Sequence, residues 1–566
     1  MRVLIAIDFG TARSGYAFAY ADEREVLCRV DWPDQPVPYL KTLSQMLYGP
    51  GDELIAWGYS APKQLALRRR TGEPNPYRLV RAFKMKIKEG RPTPRGPAFV
   101  QDDRSYYVLD LIVDYLRQLK DMVLTELQGG GTGLLHDRDV RWCLTVPAIW
   151  NDADKQLMRT AAREAGLIGP GDAEADRLEL VLEPEAAALY CQEKDGDIGA
   201  SRLKIGTRFM VIDAGGGTVD LTVHEVARDG LREVVPGSGG PCGSTYIDEQ
   251  FLKHIETVLG PYVYRRFRED EPIAFQKLLE DWERAKCDFK GSETYPTLLP
   301  ITRQLGRILD EPDHRVVLHQ LAAQQGGDED NLHLSPATMH ALFRPVLDNV
   351  VRAVEQQFRQ LGGERCDYIF LVGGFAASPA LQKRLREAFA ARVQKIIVPP
   401  EPGRAVLHGA VLYGLDRTRI RSRGVRRTYG CDTYLVFEPG KDPEPKKVWN
   451  ADRQRFDCKD RFSVFVTAGQ VIESDQKVTN LYYPTLKNQT QMKFNFYSTP
   501  QTSVRYVDEG HVKRIGELTV DLPNPSGDLN RTVELTMYFG RTEVRVEAID
   551  RASGRTARTT LHFTHE

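Results

Sequence analysis

The sequence predicts two regions of different fold class, an α/β region up to about residue 415 and an all-β region from about residue 429. Strands and helices alternate along the first region, which is typical of layered α/β proteins. One strand–turn–strand pattern occurs in it twice, about two hundred residues apart. Short runs of alternating apolar and polar residues, separated by turn signals, fill the second region and favour a β-sandwich.

The repeated pattern is Ile-Ala-Ile-Asp-Phe-Gly-Thr at residues 5–11 and Val-Ile-Asp-Ala-Gly-Gly-Gly-Thr-Val-Asp at residues 211–220. Each copy predicts a strand, a tight turn and a second strand, over residues 14–18 and 219–226. Glycine lets the backbone turn and approach a ligand closely, and successive N–H groups in such a turn form an anion site. The two turns suggest two phosphate clamps that face each other, with a nucleoside phosphate between them.

Composition limits the function classes. The chain has 566 residues, a formal net charge of −1 and eight cysteines without a CxxC pair. The balanced charge gives no reason to expect nucleic acid as a partner, and no apolar stretch approaches the roughly 18 residues of a membrane span. The N-terminal residues do not resemble a signal peptide. The cysteines predict reduced, mostly buried thiols in a cytoplasmic protein, and zinc is not expected.

Helical spacing and capping signals place the other elements of the α/β region. Apolar residues at helical spacing predict a helix over 107–127, and an apolar run predicts a strand over 140–146. The glycine run Gly129–Gly133 lacks the Lys-Ser/Thr ending of a P-loop, so we interpret it as a flexible connector. Further helices are predicted from an Asn151 or Asp152 cap to residue 165, over 245–259, 273–289 and 336–361, from a Ser378-Pro379 cap to about residue 392, and over 403–415.

The sequence pattern changes after residue 415. An Arg-rich linker follows over residues 416–428, and a solvated linker is the plain interpretation of its arginines. No helix is predicted beyond it. The predicted strands cover residues 433–438, 462–468, 477–483, 492–498, 516–522, 533–539, 543–549 and 559–563, with turn signals at Pro439-Gly440, Pro525-Ser526-Gly527 and Ser553-Gly554.

Three more segments carry groups suited to a phosphate site. Glu183 precedes a helix of small residues and could orient water on a metal ion or cap the helix. Gly373 and Gly374 end an apolar strand and could let a flat ring lie against the backbone, or form a plain strand-to-helix turn. Lys84, in Phe-Lys-Met-Lys, could reach a terminal phosphate, although a lysine taken in isolation is usually solvated.

In this order the segments resemble the heat shock protein 70 family of the actin-like ATPase superfamily. Leu-Thr-Val-Pro-Ala-Ile-Trp-Asn-Asp at 144–152 and Glu-Arg-Ala-Lys at 283–286 are similar to further family segments, and the blocks cover about residues 3–415. Residues 426–430, 512–518 and 539–543 are similar to its divergent, lidless member-12 branch. The resemblance implies an α/β actin-like, duplicated ribonuclease H-like ATPase domain followed by an all-β sandwich.

The resemblance also implies the site and its ligands, ATP or ADP with Mg²⁺. Asp8, Glu183 and Asp213 would hold the hydrated ion. Lys84 would approach the γ-phosphate and the attacking water, and Asp220 would orient that water or act as a weak base. The catalytic set also includes Thr218, and the nucleotide-binding set comprises Gly10, Thr11, Ala12, Arg13, Gly215, Gly216, Gly217, Thr218, Gly243, Glu283, Lys286, Cys287, Gly373, Gly374, Phe375 and Ser378.

The domains implied are a nucleotide-binding domain over 1–415, with lobes at about 1–205 and 206–415, the linker 416–428, and a β-sandwich over 429–566. The sandwich would bind an unfolded or extended polypeptide or one specific protein, and a J-domain co-chaperone is a candidate partner. The expected function is a chaperone-type ATPase. A nucleotide-switched adaptor with slow or absent hydrolysis is the alternative, and a sugar kinase of the same superfamily is disfavoured.

Several residues depart from the family pattern. Ala12 and Arg13 replace a hydroxyl and bring a guanidinium beside the phosphates, where Arg13 could replace a phosphate donor or stay in solvent. Cys287 stands where the family has an arginine stacked on adenine, and Lys290 where it has a serine, which predicts weaker or looser adenine binding. The Arg-rich linker replaces a hydrophobic one, so domain coupling is expected to differ. We expect no helical lid after the β region.

Overall fold

The computed structural model describes residues 2–23, 25–68, 76–101, 104–129, 135–171, 174, 176–194, 203–474, 476–523, 529–539 and 544–560. No helix within these ranges is long and apolar enough to cross a membrane. Their helices are Ser60–Arg68, Lys86–Glu89, Val108–Gly129, Asp152–Glu164, Glu183–Glu193, Thr245–Leu259, Pro261–Asp270, Pro272–Asp288, Arg303–Leu309, Arg315–Gln324, Pro336–Gln360, Pro379–Phe389 and Ala405–Leu415.

The first sheet of the α/β region is built around the strand Val3–Asp8. This strand runs parallel to Val140–Val146 on one side and antiparallel to Arg13–Tyr20 on the other. Every residue of Val3–Asp8 is buried, as expected for a continuous apolar run covered on both faces. The remaining strands of this sheet are Leu178–Leu182, Leu27–Cys28 and Thr42–Leu43.

The second sheet repeats this arrangement around the strand Arg208–Ala214. That strand runs parallel to Tyr368–Val372 and antiparallel to Val219–Ala227. The repeated sequence pattern therefore corresponds to a repeated topology, and each copy ends a central strand at the same relative place. The other strands of this sheet are Lys395–Ile397, Gly230–Gly240, Ile420–Gly424 and Val471–Glu473.

Two buried helices, Glu183–Glu193 and Ala405–Leu415, join the two sheets. Their residues belong to one apolar core together with Leu4 of the first sheet and Phe209 of the second. Small residues allow the close approach, because a Cβ atom on Gly409 would overlap the carbonyl oxygen of Ala186. The two halves of the α/β region are thus packed through a buried pair of helices that are rich in alanine and other apolar residues.

The remaining large helices cover the outer faces of the sheets and mostly follow the predicted bounds. Val108–Gly129 packs with the first sheet, and Thr245–Leu259 and Pro336–Gln360 pack with the second. Asn151 caps its helix through a reciprocal capping box with Asp154. The helices Pro261–Asp270, Arg303–Leu309 and Arg315–Gln324 were not predicted, and three small sheets contain the strands Gln45–Tyr48, Leu54–Trp57, Arg78–Arg81, Ala98–Gln101, Arg104–Tyr107, Thr297–Pro300 and Asn331–Leu334.

Apart from Val471–Glu473, which joins the second sheet of the α/β region, the strands of the described C-terminal region form two antiparallel sheets. They share one apolar core that includes Phe496 and Val520 from one sheet and Leu535 and Ala548 from the other. The five-stranded sheet contains, in spatial order, Lys447–Asn450, Arg455–Val466, Thr428–Val436, Gln491–Thr499 and Lys513–Asp521, and the four-stranded sheet contains Lys477–Tyr482, Val533–Tyr538, Arg545–Asp550 and Thr556–Thr560.

Arg423 is buried and Arg417, Arg419 and Arg421 are partly buried, so the interpretation of a solvated linker is wrong for these arginines, whereas Arg426 is exposed. Residues Ile420–Gly424 form a strand between Gly230–Gly240 and Val471–Glu473. Four arginines of this segment pair with carboxylates of the α/β region. Arg417 and Arg419 lie in a short 3-10 helix before the strand, and Arg421 and Arg423 lie in the strand itself. The pairs are Arg417–Glu179 at 2.7 Å, Arg419–Glu193 at 3.1 Å, Arg421–Asp229 at 3.1 Å and Arg423–Glu185 at 2.6 Å.

Some predicted features lie wholly or partly outside the described residues. These are the glycine run after Gly129, the turn at 525–527, the segment 540–543 and the end of the predicted strand 559–563. All eight cysteines are described and free, and six of them are buried, in agreement with the expectation of reduced, mostly buried thiols.

Candidate functional site

A cleft of about 320 Å³ lies where the turns of the two sheets meet. Of the predicted site residues, all except Asp220 and Gly243 line it. Asp220 is buried beneath the cleft, where Oδ1 accepts a hydrogen bond from the Ile149 N–H at 3.1 Å. The lining residues that were predicted are Asp8, Gly10, Thr11, Ala12, Arg13, Lys84, Glu183, Asp213, Gly215, Gly216, Gly217, Thr218, Glu283, Lys286, Cys287, Gly373, Gly374, Phe375 and Ser378.

The two turns face each other at very short range. A Cβ atom on Gly216 would lie 2.9 Å from the Cβ of Ala12, and one on Gly217 would overlap the Thr11 hydroxyl. Glycine is therefore required at both positions by the opposite turn. The two turns therefore form opposite walls of a narrow part of the cleft, as the repeated pattern suggested.

Buried hydroxyls hold the first turn in shape. The Gly10 N–H donates to Ser14 Oγ at 3.1 Å, and Ser44 Oγ donates to the Gly10 carbonyl at 2.7 Å. The two serine oxygens are themselves 2.8 Å apart. The Ser44 N–H donates to the Ala12 carbonyl at 2.9 Å, so the segment that contains Ser44 is fastened to the turn.

The second turn is held from behind by the start of the helix Thr245–Leu259. The Gly243 N–H donates to the Gly217 carbonyl at 3.1 Å, and Thr245 Oγ1 donates to the Gly216 carbonyl at 2.8 Å. A Cβ atom on Gly243 would overlap the Gly216 carbonyl oxygen, which explains the glycine at that position.

Both turns keep free donors. Within the described residues, the N–H groups of Gly216 and Gly217 have no protein acceptor, and neither have those of Thr11 and Ala12. All four residues line the cleft. Consecutive N–H groups without acceptors form an anion-binding concavity, so the cleft offers one such site on each side.

Two lysines pair with two of the site carboxylates. Asp8 Oδ2 lies 2.5 Å from Lys41 Nζ, and Asp8 Oδ1 accepts from Thr145 Oγ1 at 3.0 Å. Lys84 Nζ lies 2.8 Å from Glu183 Oε1 and donates to the Phe9 carbonyl at 2.6 Å. Lys84 is 6% exposed, so the expectation of a solvated lysine, drawn from its segment alone, is wrong.

Asp213 differs from the other carboxylates. It is buried, and within the described part of the chain it accepts no hydrogen bond and pairs with no cation. Burial raises the pKa of Asp213 well above its usual range, and the charges of Glu183, Asp220 and Asp8 raise it further. The cleft therefore contains a buried carboxylate whose negative charge has no direct partner.

The pKa values of the neighbouring carboxylates Glu183 and Asp8 are shifted in opposite directions. Burial raises the pKa of Glu183 to about 7 against the opposing effect of Lys84. Burial alone would also raise the pKa of Asp8, but Lys41 and Lys84 outweigh it and lower that pKa. Asp213 and Glu183 therefore hold a proton more readily than Asp8, whose charged form is stabilised by the two lysines.

The far end of the cleft contains the residues predicted to lie around adenosine. Gly373 has φ of +89°, and a Cβ atom there would overlap the Asp213 carboxylate and the Ala214 carbonyl. Lys286 Nζ is 2.6 Å from Glu283 Oε2 and 2.7 Å from Asp248 Oδ1, which fixes Glu283 at the cleft wall.

Three of the residues that depart from the family pattern, Ala12, Arg13 and Cys287, line the cleft. The exposed Cys287 has its Sγ 3.8 Å from Glu283 Oε1. The guanidinium of Arg13 lies over the Tyr39 ring, 5.1 Å from its centroid, a cation–π contact. Arg13 therefore stays at the cleft wall instead of extending into solvent.

Sequence reasoning missed five residues that line the cleft. Lys41 is the most consequential, because it contributes a buried positive charge. No signal marks Lys41 in the sequence, since it lies in neither a glycine turn nor a repeated pattern, and its contact with Asp8 depends on the fold. The others are Tyr39, Ser244, Ala377 and Val406.

The residues present are compatible with Mg²⁺. The donors Asp8, Glu183 and Asp213 are all carboxylate oxygens, the type of ligand that Mg²⁺ prefers, and the unpaired Asp213 provides a charge for a cation to neutralise. Within the residues that the structure describes, no group of three or more His, Cys, Asp or Glu could ligate a metal ion by itself.

One protein family and its members match most of this chain. The family model described as "Hsp70 protein" matches residues 115–419. Human heat shock 70 kDa protein 12A is 30% identical over 622 aligned residues, which cover 99% of this chain and 91% of that protein. Human heat shock 70 kDa protein 12B is 29% identical over 632 residues, with the same coverage of both chains.

A more distant relative matches part of the chain. The chaperone protein DnaK of Prochlorococcus marinus (strain MIT 9515) is 28% identical over 332 residues, which cover 56% of this chain and 46% of that protein. The resemblance to heat shock protein 70 and to its member-12 branch is thereby confirmed, and the α/β region has the actin-like ATPase fold of that family. The chain belongs to the Hsp70 family.

Proposed function

We propose that this chain is an Hsp70-like ATPase that binds ATP and ADP in the cleft and couples nucleotide state to polypeptide binding. The observation that carries the proposal is the pair of opposed turns, each with N–H groups that find no acceptor among the described residues of the chain. Nucleotide phosphates between the turns would satisfy these donors. We also propose that the chain has two lobes at about residues 1–205 and 206–415, a linker at 416–428 and a β-sandwich at 429–566.

The carboxylates and Lys84 take the roles expected of phosphoryl transfer. Asp8, Glu183 and Asp213 would hold hydrated Mg²⁺, which when bound neutralises charge on the phosphates. Lys84, held by Glu183 and the Phe9 carbonyl, would lie near the γ-phosphate. Asp220 has a buried Oδ2 without a protein partner in the described chain, and it would orient the attacking water.

One short segment supports coupling between the nucleotide site and the β region. Asp220 accepts from the Ile149 N–H, and Arg426 donates to the adjacent Ala148 carbonyl. Tyr429 Oη, at the start of the β region, donates to Asp152 Oδ2 at 2.6 Å. We infer that a shift of Asp220 with nucleotide state reaches the β region through residues 148–152.

An apolar surface supports polypeptide binding by the β region. The strand ends of the five-stranded sheet expose large apolar side chains, and Trp449 and Phe456 form an edge-to-face pair there. Lys447–Asn450 is an edge strand of this sheet. An extended polypeptide can form hydrogen bonds with the free edge of such a strand. The exposed residues are Tyr434, Leu435, Val436, Val448, Trp449 and Phe456. A J-domain co-chaperone and a cytoplasmic location stay predictions.

The second candidate is the nucleotide-switched adaptor with slow or absent hydrolysis. The Lys41–Asp8 pair favours it, because Lys41 occupies one oxygen of a carboxylate that would otherwise face the metal ion. Both candidates need nucleotide in the cleft, and they differ in the rate of the chemical step.

Single-turnover hydrolysis of ATP with Mg²⁺ tests the proposal. We expect the wild type to form ADP, and Asp213→Asn to slow this step by at least about tenfold, since charge stabilisation by such groups is worth several kcal/mol. Asp313→Asn, an exposed position, is the matched control. Nucleotide binding without hydrolysis, unchanged by Asp213→Asn, would favour the adaptor.

A further inference from the structure

Lys41 is a mostly buried lysine of the cleft, and most of the N–H donors of its ammonium group have no acceptor in the described chain. Its side chain is 13% exposed, and its Nζ has one acceptor in the described chain, Asp8 Oδ2 at 2.5 Å. An ammonium group has three N–H donors, so two remain. Lys41 lines the cleft together with Thr11 and Ala12.

The chain fixes the position of Lys41 relative to the first turn. Ser44, three residues along, bonds the Gly10 and Ala12 carbonyls through its hydroxyl and its N–H. The ion pair with Asp8 then holds the ammonium at the end of the central strand Val3–Asp8. Lys41 is therefore held beside the N–H groups that would bind a phosphate, with little freedom to leave.

We propose, on the basis of the proposed function, that Lys41 is a phosphate-binding residue that supplies a built-in positive charge at the nucleotide's terminal phosphates. Its two free donors would bond phosphate oxygens while the third stays on Asp8. Beside the two turns, a nucleoside di- or triphosphate then meets three positive charges, from Lys41, Lys84 and Arg13, while Lys286 lines the far end of the cleft. Nucleotide binding consequently survives removal of divalent cations.

The test measures the affinity of the full chain for ATP and ADP by calorimetry, with Mg²⁺ and again with EDTA at constant ionic strength. The variant is Lys41→Met, which keeps an unbranched apolar stem and removes the ammonium group with its charge. Lys63→Met is the matched control, because Lys63 pairs with Asp34 on the protein surface. We expect the affinity of the wild type for ATP and ADP to fall less than about tenfold in EDTA.

Lys41→Met is expected to lose about 10- to 100-fold of affinity in EDTA, the value of one or two charge-assisted hydrogen bonds, whereas Lys63→Met binds as the wild type does. Equal affinities of Lys41→Met and wild type in EDTA would overturn the role of Lys41. Absence of binding by the wild type in both buffers would overturn the proposed function itself.

A folding control keeps the test decisive, because Lys41→Met leaves Asp8 buried without its cation. If Lys41→Met does not fold, Asp8→Asn/Lys41→Met removes both charges and is compared with Asp8→Asn. The double variant should bind more weakly than Asp8→Asn in EDTA by a similar factor. Equal affinities of these two would count against Lys41 as a phosphate-binding residue.

Discussion

The guanidinium of Arg423 lies side-on against the carboxylate of Glu185, with Nε 2.6 Å from Oε1 and Nη2 2.8 Å from Oε2. Both side chains are buried, and Tyr413 Oη accepts a further bond from Nη2 at 3.2 Å. Arg423 lies in the strand that leaves the α/β region, and Glu185 lies two residues after Glu183 of the cleft. One ion pair therefore ties the connection between regions to the helix that begins in the site.

Loss of Arg423 should be costly. In Arg423→Ala the charge of Glu185 stays buried without its guanidinium, which costs about 3–5 kcal/mol of unfolding free energy, measured by urea unfolding. Arg551→Ala is the control, since Arg551 pairs with Glu534 at the exposed surface and such pairs are worth at most about 1 kcal/mol. Equal losses in the two variants would refute the buried pair as an anchor.

The crossing of the two central helices should not tolerate a methyl group. In Gly409→Ala the new Cβ overlaps the Ala186 carbonyl, so the helices must separate at a cost of about 1–3 kcal/mol or more. Gly129→Ala is the control, because an added Cβ there meets no atom within 4 Å. A melting temperature of Gly409→Ala equal to that of the control would show that the helices pack differently.

The second turn should depend on Gly243 although this residue does not line the cleft. A Cβ on Gly243 overlaps the Gly216 carbonyl and must displace the turn, so Gly243→Ala should weaken ATP binding at least about tenfold, or about 1.4 kcal/mol. Calorimetry measures this effect. Gly510→Ala, where an added Cβ has open space, should bind as the wild type does. Unchanged affinity of Gly243→Ala would mean that phosphate does not contact the second turn.

His224 predicts a loss of stability in acid. Burial lowers the pKa of His224 to about 4 from 6.5, so the folded state excludes a proton that the unfolded state binds. The stabilisation is complete above pH 6.5 and is lost as the pH falls through that value towards 4. One pKa unit corresponds to 1.36 kcal/mol, so the loss amounts to roughly 3 kcal/mol.

The measurement is urea unfolding at pH 7 and at pH 4.5. His224→Leu should lose less stability than the wild type between these pH values, while the exposed His319→Leu should behave as the wild type does. A pH dependence of His224→Leu equal to that of the wild type would show that another group causes the acid loss.

Local patterns were enough to predict much of the fold. The strand Val140–Val146 and the helix Thr245–Leu259 match their predicted bounds, because a long apolar run and a strong helical period depend little on distant contacts. Most predicted site residues line one cleft because the repeated turn marks two equivalent strand ends. Capping signals at Asn151 and Ser378 were equally local and reliable.

The sequence did not reveal features that depend on distant partners. Arg423 looks like any linker arginine until Glu185, far away in sequence, is placed beside it. Lys41 and Lys84 owe their burial to Asp8 and Glu183, which no periodicity can indicate. The strand Ile420–Gly424 is short and rich in arginine, so propensity argued against it, and its pairing with the second sheet and the ion pairs of its arginines stabilise it.

The most direct test of the account is the melting temperature of the full chain with and without ATP or ADP in the presence of Mg²⁺. A ligand that binds only the folded state at 100 times its Kd stabilises that state by about 2.7 kcal/mol. The account predicts that both nucleotides raise the melting temperature and that Gly243→Ala reduces the rise. No change with either nucleotide, at concentrations up to several millimolar, would contradict a nucleotide site in this cleft.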